Sequence, residues 1–475
     1  MLKETNYFKD IKEKVKYNMK GQNNKKLFEG SILKNLLRMS IPTMLGYLFQ
    51  SAYDLVDLIW IGKISSSAVA AATIFTTIFW TVDILNEIIG TSSVSVISQS
   101  YGTGDNEKTT IAIEQTLIFK ALVAVIAAIL MIIFLKPLIG FFTNDPIVKK
   151  NALEYGYIRI FFLPIMFSSF TINTAFRCIG DAKKPMIVMI VAAIFNVVLD
   201  PLFMFEYIPG TNIPGFNMGI FGAALATVIS ITIAFVLALV IFITQEKHIN
   251  LKVKRLFKLN WSIDKKLLTI GVSSGFQMLS KNLAGIMVLK FVAFYGTPSV
   301  AAIGIGNKLC NFTNMPIVGL SMGASAIIGQ CLGANKTEKA KEAATKAGLL
   351  GIIIMIFSAI LILVFPDFIM KIFISNDEVI SIGTSMLRII SLGLIAMGLT
   401  MGIGSVFPGS GYNLPYFIAS FIARWCGQIP LLYLVVRVIK LPIIGVWWVF
   451  AVADILEMIV ILVFYKKGKW QSNRV

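Results

Sequence analysis

Histidine occurs once in the 475 residues, as His248 in a basic connecting stretch. This excludes Ser-His-Asp and HExxH chemistry and any histidine proton relay inside an apolar segment. The four cysteines, Cys178, Cys310, Cys331 and Cys426, lie far apart in or beside apolar runs. With no CxxC and no Cys/His spacing, they read as small buried hydrophobes and not as a metal cage or a disulfide framework. No GxxxxGK[ST] loop is present, so ATP-driven work by this chain is not expected. The first forty residues are polar and basic and lack a short apolar region followed by a small-residue cleavage site. No cleaved signal peptide is expected, and the first span would serve as an uncleaved insertion signal. Charge is also scarce, at 14% of residues against roughly 25% in soluble domains.

What fills the chain instead is hydrocarbon. Hydrophobic residues make up 56% and mean hydropathy is +0.79, more apolar surface than a soluble chain can cover. At about 20 apolar residues per span, the apolar runs and their Gly, Pro and charge punctuation predict twelve transmembrane helices. These fall near residues 41–61, 68–99, 111–135, 149–176, 185–206, 218–244, 266–295, 299–331, 341–365, 379–406, 415–437 and 443–465. A basic tail (1–40), a linker (245–265) and a second tail (466–475) flank two groups of six helices, 41–244 and 266–465.

The net charge of +18 resembles a nucleic-acid signal until the charges are placed. One set of alternate loops, with both tails, holds 29 of the 43 basic residues; the opposite loops hold seven and the rest lie within spans. That bias predicts cytoplasmic termini in a plasma (inner) membrane. No aromatic-interleaved basic patch exists, so no nucleic-acid partner is expected. The stretches 9–26 and 247–258 can lie against anionic lipid headgroups, or simply be a solvated tail and linker.

The chain also repeats itself. At a shift of 231, "QSYGTGDNEK" (99–108) meets "QCLGANKTEK" (330–339), pairing Gln99 with Gln330 and Gly102 with Gly333. "SAVAAATI" meets "PSVAAIGI" at the same shift, and "DPLFM" (200–204) meets "IPLLY" (429–433) at 229. Six helices followed by six equivalents in the same orientation form a parallel repeat, a layout that places a substrate path between two lobes.

The repeat supplies its own control. Asp57 falls opposite Phe291, Asn196 and Asp200 opposite Trp425 and Ile429, and Thr227 opposite Phe450. Polar groups inside hydrocarbon are costly and usually functional, and these four are not demanded by the shared architecture. Asn196 and Asp200 are i, i+4 and share a helix face. Pro201 frees the Val197 carbonyl. Such oxygens suit Na⁺. Two carboxylates close together could instead share a proton, or the pair could merely satisfy backbone groups at a proline kink.

On "VDLIWIG", "GTGD", "GANK", "AFRCIGDAKKPM" (175–186) and "NVVLDPL", the chain resembles the multidrug and toxic compound extrusion (MATE) family over residues 30–467, and within it the DinF-like branch. The resemblance implies a secondary active antiporter exporting amphipathic organic cations against Na⁺ or H⁺, by alternating access of two lobes around a V-shaped cavity. It places a cation site in the N-terminal lobe, which maps onto Asp57, Asn173, Asn196, Asp200 and Thr227. Asn173, opposite Gly404, enters only through the resemblance. The C-lobe acids of the NorM-like branch have no counterpart here: the seventh helix offers Lys281 and Lys290, and the tenth Arg388.

Asp83 and Glu87, i, i+4 on the second helix, are candidates for drawing cations into the cavity, or for pairing with Lys281 or Lys290. Arg159 and its mate Arg388 read as structural. Asp454 and Glu457 are expected to pair with Arg424. Methionine and phenylalanine (20 and 35 residues) mostly face lipid and packing, some lining an adaptable cavity. The rival reading within the same superfamily is a flippase for lipid-linked intermediates, which calls for a strongly basic cavity. No enzymatic activity and no cofactor beyond the coupling ion are expected. The partners are small amphipathic cations and membrane lipids, and the chain is expected to be a monomer.

Overall fold

A computed structural model describes residues 26–246, 249, 251, 255 and 258–475. His248 and most of the basic stretches 9–26 and 247–258 lie outside the described residues. Among those described, the chain is all helical, with one isolated bridge between Tyr207 and Pro214. The first lobe runs α1 (Ile32–Ile64), α2 (Ser66–Thr103), α3 (Asn106–Phe142), α4 (Pro146–Phe161 and Leu163–Cys178), α5 (Lys183–Met204) and α6 (Gly219–Gln245). The second runs α7 (Trp261–Ala293), α8 (Thr297–Gly333), α9 (Thr337–Val364), α10 (Asp377–Gly404, continued by Val406–Ser410), α11 (Leu414–Val438) and α12 (Ile443–Lys467).

The expected helices are all present, with informative differences. Ser31 caps α1 through its hydroxyl, so residues 32–40, expected in the tail, form the first turns of a helix. The fourth span is not straight. Pro164 opens its second segment and has no N–H to continue the ladder, giving a 52° bend. A short amphipathic helix, Pro366–Phe373, intervenes between α9 and α10. Beyond Lys467 the chain makes a 3₁₀ turn and docks Val475 against Gln99.

Nine of the described helices and the bent α4 pair are long and apolar enough to span a membrane. The two long helices that fall short are α1 and α7, which are repeat mates. The reason is visible in their sequences: α1 carries Gln50, Asp54 and Asp57, and α7 carries Gln277, Lys281 and Lys290. Outward faces are greasy, with Phe141 at 85% and Phe161 at 71% exposure, as lipid contact requires.

Each lobe has a core of its own. Phe75, Leu135 and Tyr155 centre that of the first lobe, and Met355, Leu432 and Trp447 that of the second. Two further cores are shared between lobes, and both lie toward the end where the described residues begin and finish, near Leu27 and Val475. One sets Leu27, Ile32 and Met39 against Ile327, Ala344 and Phe407. The other sets Ile97, Phe176 and Phe242 with Leu267, Ile270 and Val475. The lobes are therefore fused at the termini end. Gly102 and Gly333 permit this: a Cβ on Gly102 would collide with the Gln330 carbonyl, and one on Gly333 with that of Gln99.

Candidate functional site

The buried polar group of the first lobe is assembled by a close helix crossing. At Gly222 of α6, a Cβ would stand 2.6 Å from the Phe203 carbonyl oxygen of α5, so only glycine lets the two axes approach this closely. The approach brings Thr227 to Asn196. Asn196 Nδ2 donates to Asp200 Oδ1 at 3.2 Å and to Thr227 Oγ1 at 3.4 Å. The Thr227 hydroxyl donates in turn to the Ala223 carbonyl at 3.0 Å, a common back-bond that keeps the oxygen's lone pairs available. Asn196, Asp200 and Thr227 are 1%, 0% and 5% exposed. α5 remains helical through Pro201 to Met204.

The donors here are used up and the acceptors are not. Asp200 Oδ2, Asn196 Oδ1 and Asp57 Oδ1 are each buried without a hydrogen-bond partner, as is Asn173 Oδ1. Asp57 lies on α1, which packs along α5. Buried acceptors without donors are costly and rare. A proton or a hard cation could supply what they lack, since carboxylate, amide and hydroxyl oxygens are ligands of that kind. Among the described residues no group of three or more His, Cys, Asp or Glu could hold a metal ion. Two carboxylates with an amide and a hydroxyl suit a monovalent ion better than a divalent one.

The repeat mate of Asn196 behaves differently. Trp425 Nε1 donates to Ser280 Oγ at 2.9 Å, so in the second lobe that position is satisfied by its own neighbours. Asn173 stands apart from the α5–α6 group, with no hydrogen bond to it. It lines a cavity of about 400 Å³ within the first lobe, together with Asp54, Asp83 and Arg159.

Asp83 accepts from Asn86 at 3.1 Å. Glu87 accepts from the Thr91 hydroxyl and lines a second cavity, of about 380 Å³, between the lobes. Neither acid meets Lys281, which pairs with Glu457 at 3.0 Å. The expected Arg424 pairs are present, to Asp454 at 2.8 Å and Glu457 at 3.5 Å. Arg159 and Arg388, repeat mates both expected to be structural, stand in different surroundings. Arg159 donates to Tyr155 at 2.7 Å, lies over Phe79 and faces the first-lobe cavity, whereas Arg388 is exposed.

Lys120 is a further lysine inside an apolar run, a signal of its own. It is fully buried on α3, with Nζ 4.3 Å from the Phe170 ring centroid.

The family model MatE matches this chain twice, over residues 42–202 and 274–434. The chain belongs to the MatE family. The two matches are offset by one repeat, so each lobe carries the family pattern separately. The probable multidrug resistance protein YoeA of Bacillus subtilis is 29% identical over 450 residues, covering 94% of this chain and 96% of its own length. The probable multidrug resistance protein NorM of Thermotoga maritima is 25% identical, covering 94% of each chain. A MOP superfamily transporter from Pyrococcus furiosus superposes with a TM-score of 0.85 at 22% identity, over 93% of this chain and 96% of that one. Likeness of that extent establishes the twelve-helix, two-lobe architecture for this MatE protein.

Proposed function

We propose that this MatE protein is a multi-pass transporter of the plasma (inner) membrane. In this reading it exports amphipathic organic cations in exchange for Na⁺ or H⁺, as a monomer with both termini in the cytoplasm. The observation that carries the reading is the set of orphaned oxygens on Asp57, Asn196 and Asp200, gathered with Thr227 in one lobe. The sealed termini end fits a state open away from the cytoplasm. An ion entering from outside would neutralise Asp57 and Asp200, remove the cost of their burial and draw α1 against α5. Because α1 also walls the first-lobe cavity through Tyr47, Gln50 and Asp54, that movement would narrow the cavity and expel its occupant.

One coupling cation exchanged for one monovalent substrate moves no net charge. The membrane potential, about 2.3 kcal/mol per charge per 100 mV, then drops out, and the ion gradient alone drives export. The relatives named as multidrug resistance proteins support the substrate class. The flippase alternative is not favoured, because the interlobe cavity is lined by three acids (Glu87, Asp454, Glu457) and three bases (Arg177, Lys281, Arg424) and so is not strongly basic.

The test is ethidium efflux from energised membrane vesicles, with Na⁺ and pH gradients imposed separately. Efflux driven by one of them in wild type, and abolished in Asp57→Asn and Asp200→Asn, is the expected result. Efflux untouched by either substitution removes these residues from the coupling site.

A further inference from the structure

The interlobe cavity carries a charge network that the coupling reading leaves unused. On its second-lobe wall, Arg424 is held by three acceptors: Asp454 at 2.8 Å, Glu457 at 3.5 Å and Gln428 Oε1 at 3.2 Å. It sits in a π-helical stretch, Ile422–Gln428, within α11, the kind of local rewinding that re-aims a side chain. Glu457 is nearly buried, with 7% of its side chain exposed, and takes a second cation in Lys281. Lys281 is the loose member. Glu457 is its only ion-pair partner among the described residues, at 3.0 Å, and 42% of its side chain is exposed.

We infer that Lys281 is a tethered stand-in for the substrate's own cationic group. It neutralises Glu457 while the cavity is empty of substrate and is displaced when an organic cation arrives. This rests on the reading of the chain as an exporter of cations. Three physical points support it. A buried carboxylate without a counter-charge is costly, and Arg424 is shared between Asp454 and Glu457, so a cavity that alternately holds and releases a cation gains from a replacement of its own. A lysine ammonium on a flexible stem, part-exposed, withdraws at less cost than a forked, multiply bonded guanidinium.

The third point is charge balance. Three acids and three bases line this cavity, so withdrawal of Lys281 leaves one net negative charge, which a monocation balances and an anion does not. Met322, Met397, Met401, Phe170 and Tyr416 line the same space. Soft thioethers and rings of this kind accept flat apolar bodies of varied shape. The substrate class is therefore a planar aromatic monocation, its charge at Glu457 and its body among these side chains.

The test is equilibrium binding of ethidium to the purified full chain in lipid nanodiscs, read by fluorescence anisotropy. Lys281→Met is expected to tighten binding at least fivefold, since Glu457 no longer has to be released; Glu457 keeps Arg424 at 3.5 Å, which protects the fold. Lys281→Arg should weaken binding severalfold, since a guanidinium withdraws at greater cost than an ammonium. Glu457→Gln should weaken binding at least tenfold, and adding Lys281→Met to it should restore nothing. Lys281→Gln replaces the methionine variant should that one melt below wild type. If the neutral variants bind ethidium no tighter than wild type, this inference is overturned and the export reading stands. If wild type binds neither ethidium nor any other planar monocation, both fall together.

Discussion

Gln99 and Gln330, one repeat length apart, make the same bonds with the lobes exchanged. Gln99 Nε2 donates to the carbonyls of Gly409 and Ser410 at 3.2 and 3.1 Å. Gln330 Nε2 donates at 2.7 Å to the carbonyl of Cys178, which is the repeat mate of Gly409. Each amide oxygen is then taken by the backbone N–H of a terminal segment, Val475 for Gln99 and Leu27 for Gln330, both at 3.0 Å. Both side chains are 3% exposed or less. The lobes are thus latched by a pseudo-symmetric pair of glutamines, and the ends of the described chain cap the latch. The shift of 231 aligned these two residues in the sequence, but nothing there said that each reaches across to the other lobe.

Replacing both glutamines by alanine should release that end. The two glutamines make five such bonds between them; each buried hydrogen bond contributes about 1 kcal/mol net, so losing even two of them favours the separated state by about 2 kcal/mol, or roughly 30-fold. Cys178 and Cys331, both buried at this end, report it. Their labelling by a maleimide applied from the termini side should rise by at least that order in the double variant. Equal labelling of Cys178 and Cys331 in wild type and variant would show that the latch does not hold the lobes.

Within the first-lobe polar group, Asp200→Asn and Thr227→Val should separate in effect. Asn at 200 keeps a carbonyl oxygen for the Asn196 amide but removes the charge, so gradient-driven efflux should fall at least tenfold. Valine at 227 removes only the weaker acceptor, at 3.4 Å, and should reduce the initial rate severalfold. Initial efflux rates at one fixed gradient check both, and a larger loss for Thr227→Val would contradict the central place given to Asp200.

Most of the architecture was legible in the sequence because hydrocarbon demands long apolar helices and the repeat was strong enough to align. The four oxygen-bearing residues set against greasy mates were legible for the same reason: the second lobe subtracts what the fold alone requires. Interlobe and backbone geometry was not legible. The bend before Pro164 needed the two segments in place, since a proline near a helix start is equally at home in a straight span. Lys281 pairs with Glu457 and not with Asp83 or Glu87, although α2 packs directly along α7, because helix neighbourhood does not fix which acid a long, flexible side chain reaches. Asn173 lines the first-lobe cavity without bonding to the Asn196 group that the family resemblance joined it to.

Gly222→Ala tests the crossing that builds the polar group. Its new Cβ would meet the Phe203 carbonyl oxygen and carbon at 2.6 and 2.7 Å, and backbone cannot rotate away. Overpacking of this kind costs about 1–3 kcal/mol, so the melting temperature should drop and coupling should suffer as Thr227 moves off Asn196. Gly445→Ala, at the mate position, meets side-chain carbons at 3.0–3.2 Å that can shift, and should be milder on both counts. Equal losses in the two variants would show that the α5–α6 approach carries no special burden.

The coupling ion itself can be read from stability. An ion that binds the folded protein stabilises it by RT ln(1 + [L]/Kd), about 2.7 kcal/mol at a hundredfold excess over Kd. If Na⁺ satisfies the orphaned oxygens of Asp57, Asn196 and Asp200, replacing choline by Na⁺ at constant ionic strength raises the melting temperature of wild type. The same exchange should leave Asp200→Asn unmoved and Asp57→Asn nearly so, because each loses a charged ligand from a site with only two. A rise that persists undiminished in both variants puts the Na⁺ elsewhere in the molecule. No rise in wild type at any Na⁺ concentration, with efflux following the pH gradient alone, assigns the site to a proton shared by Asp57 and Asp200.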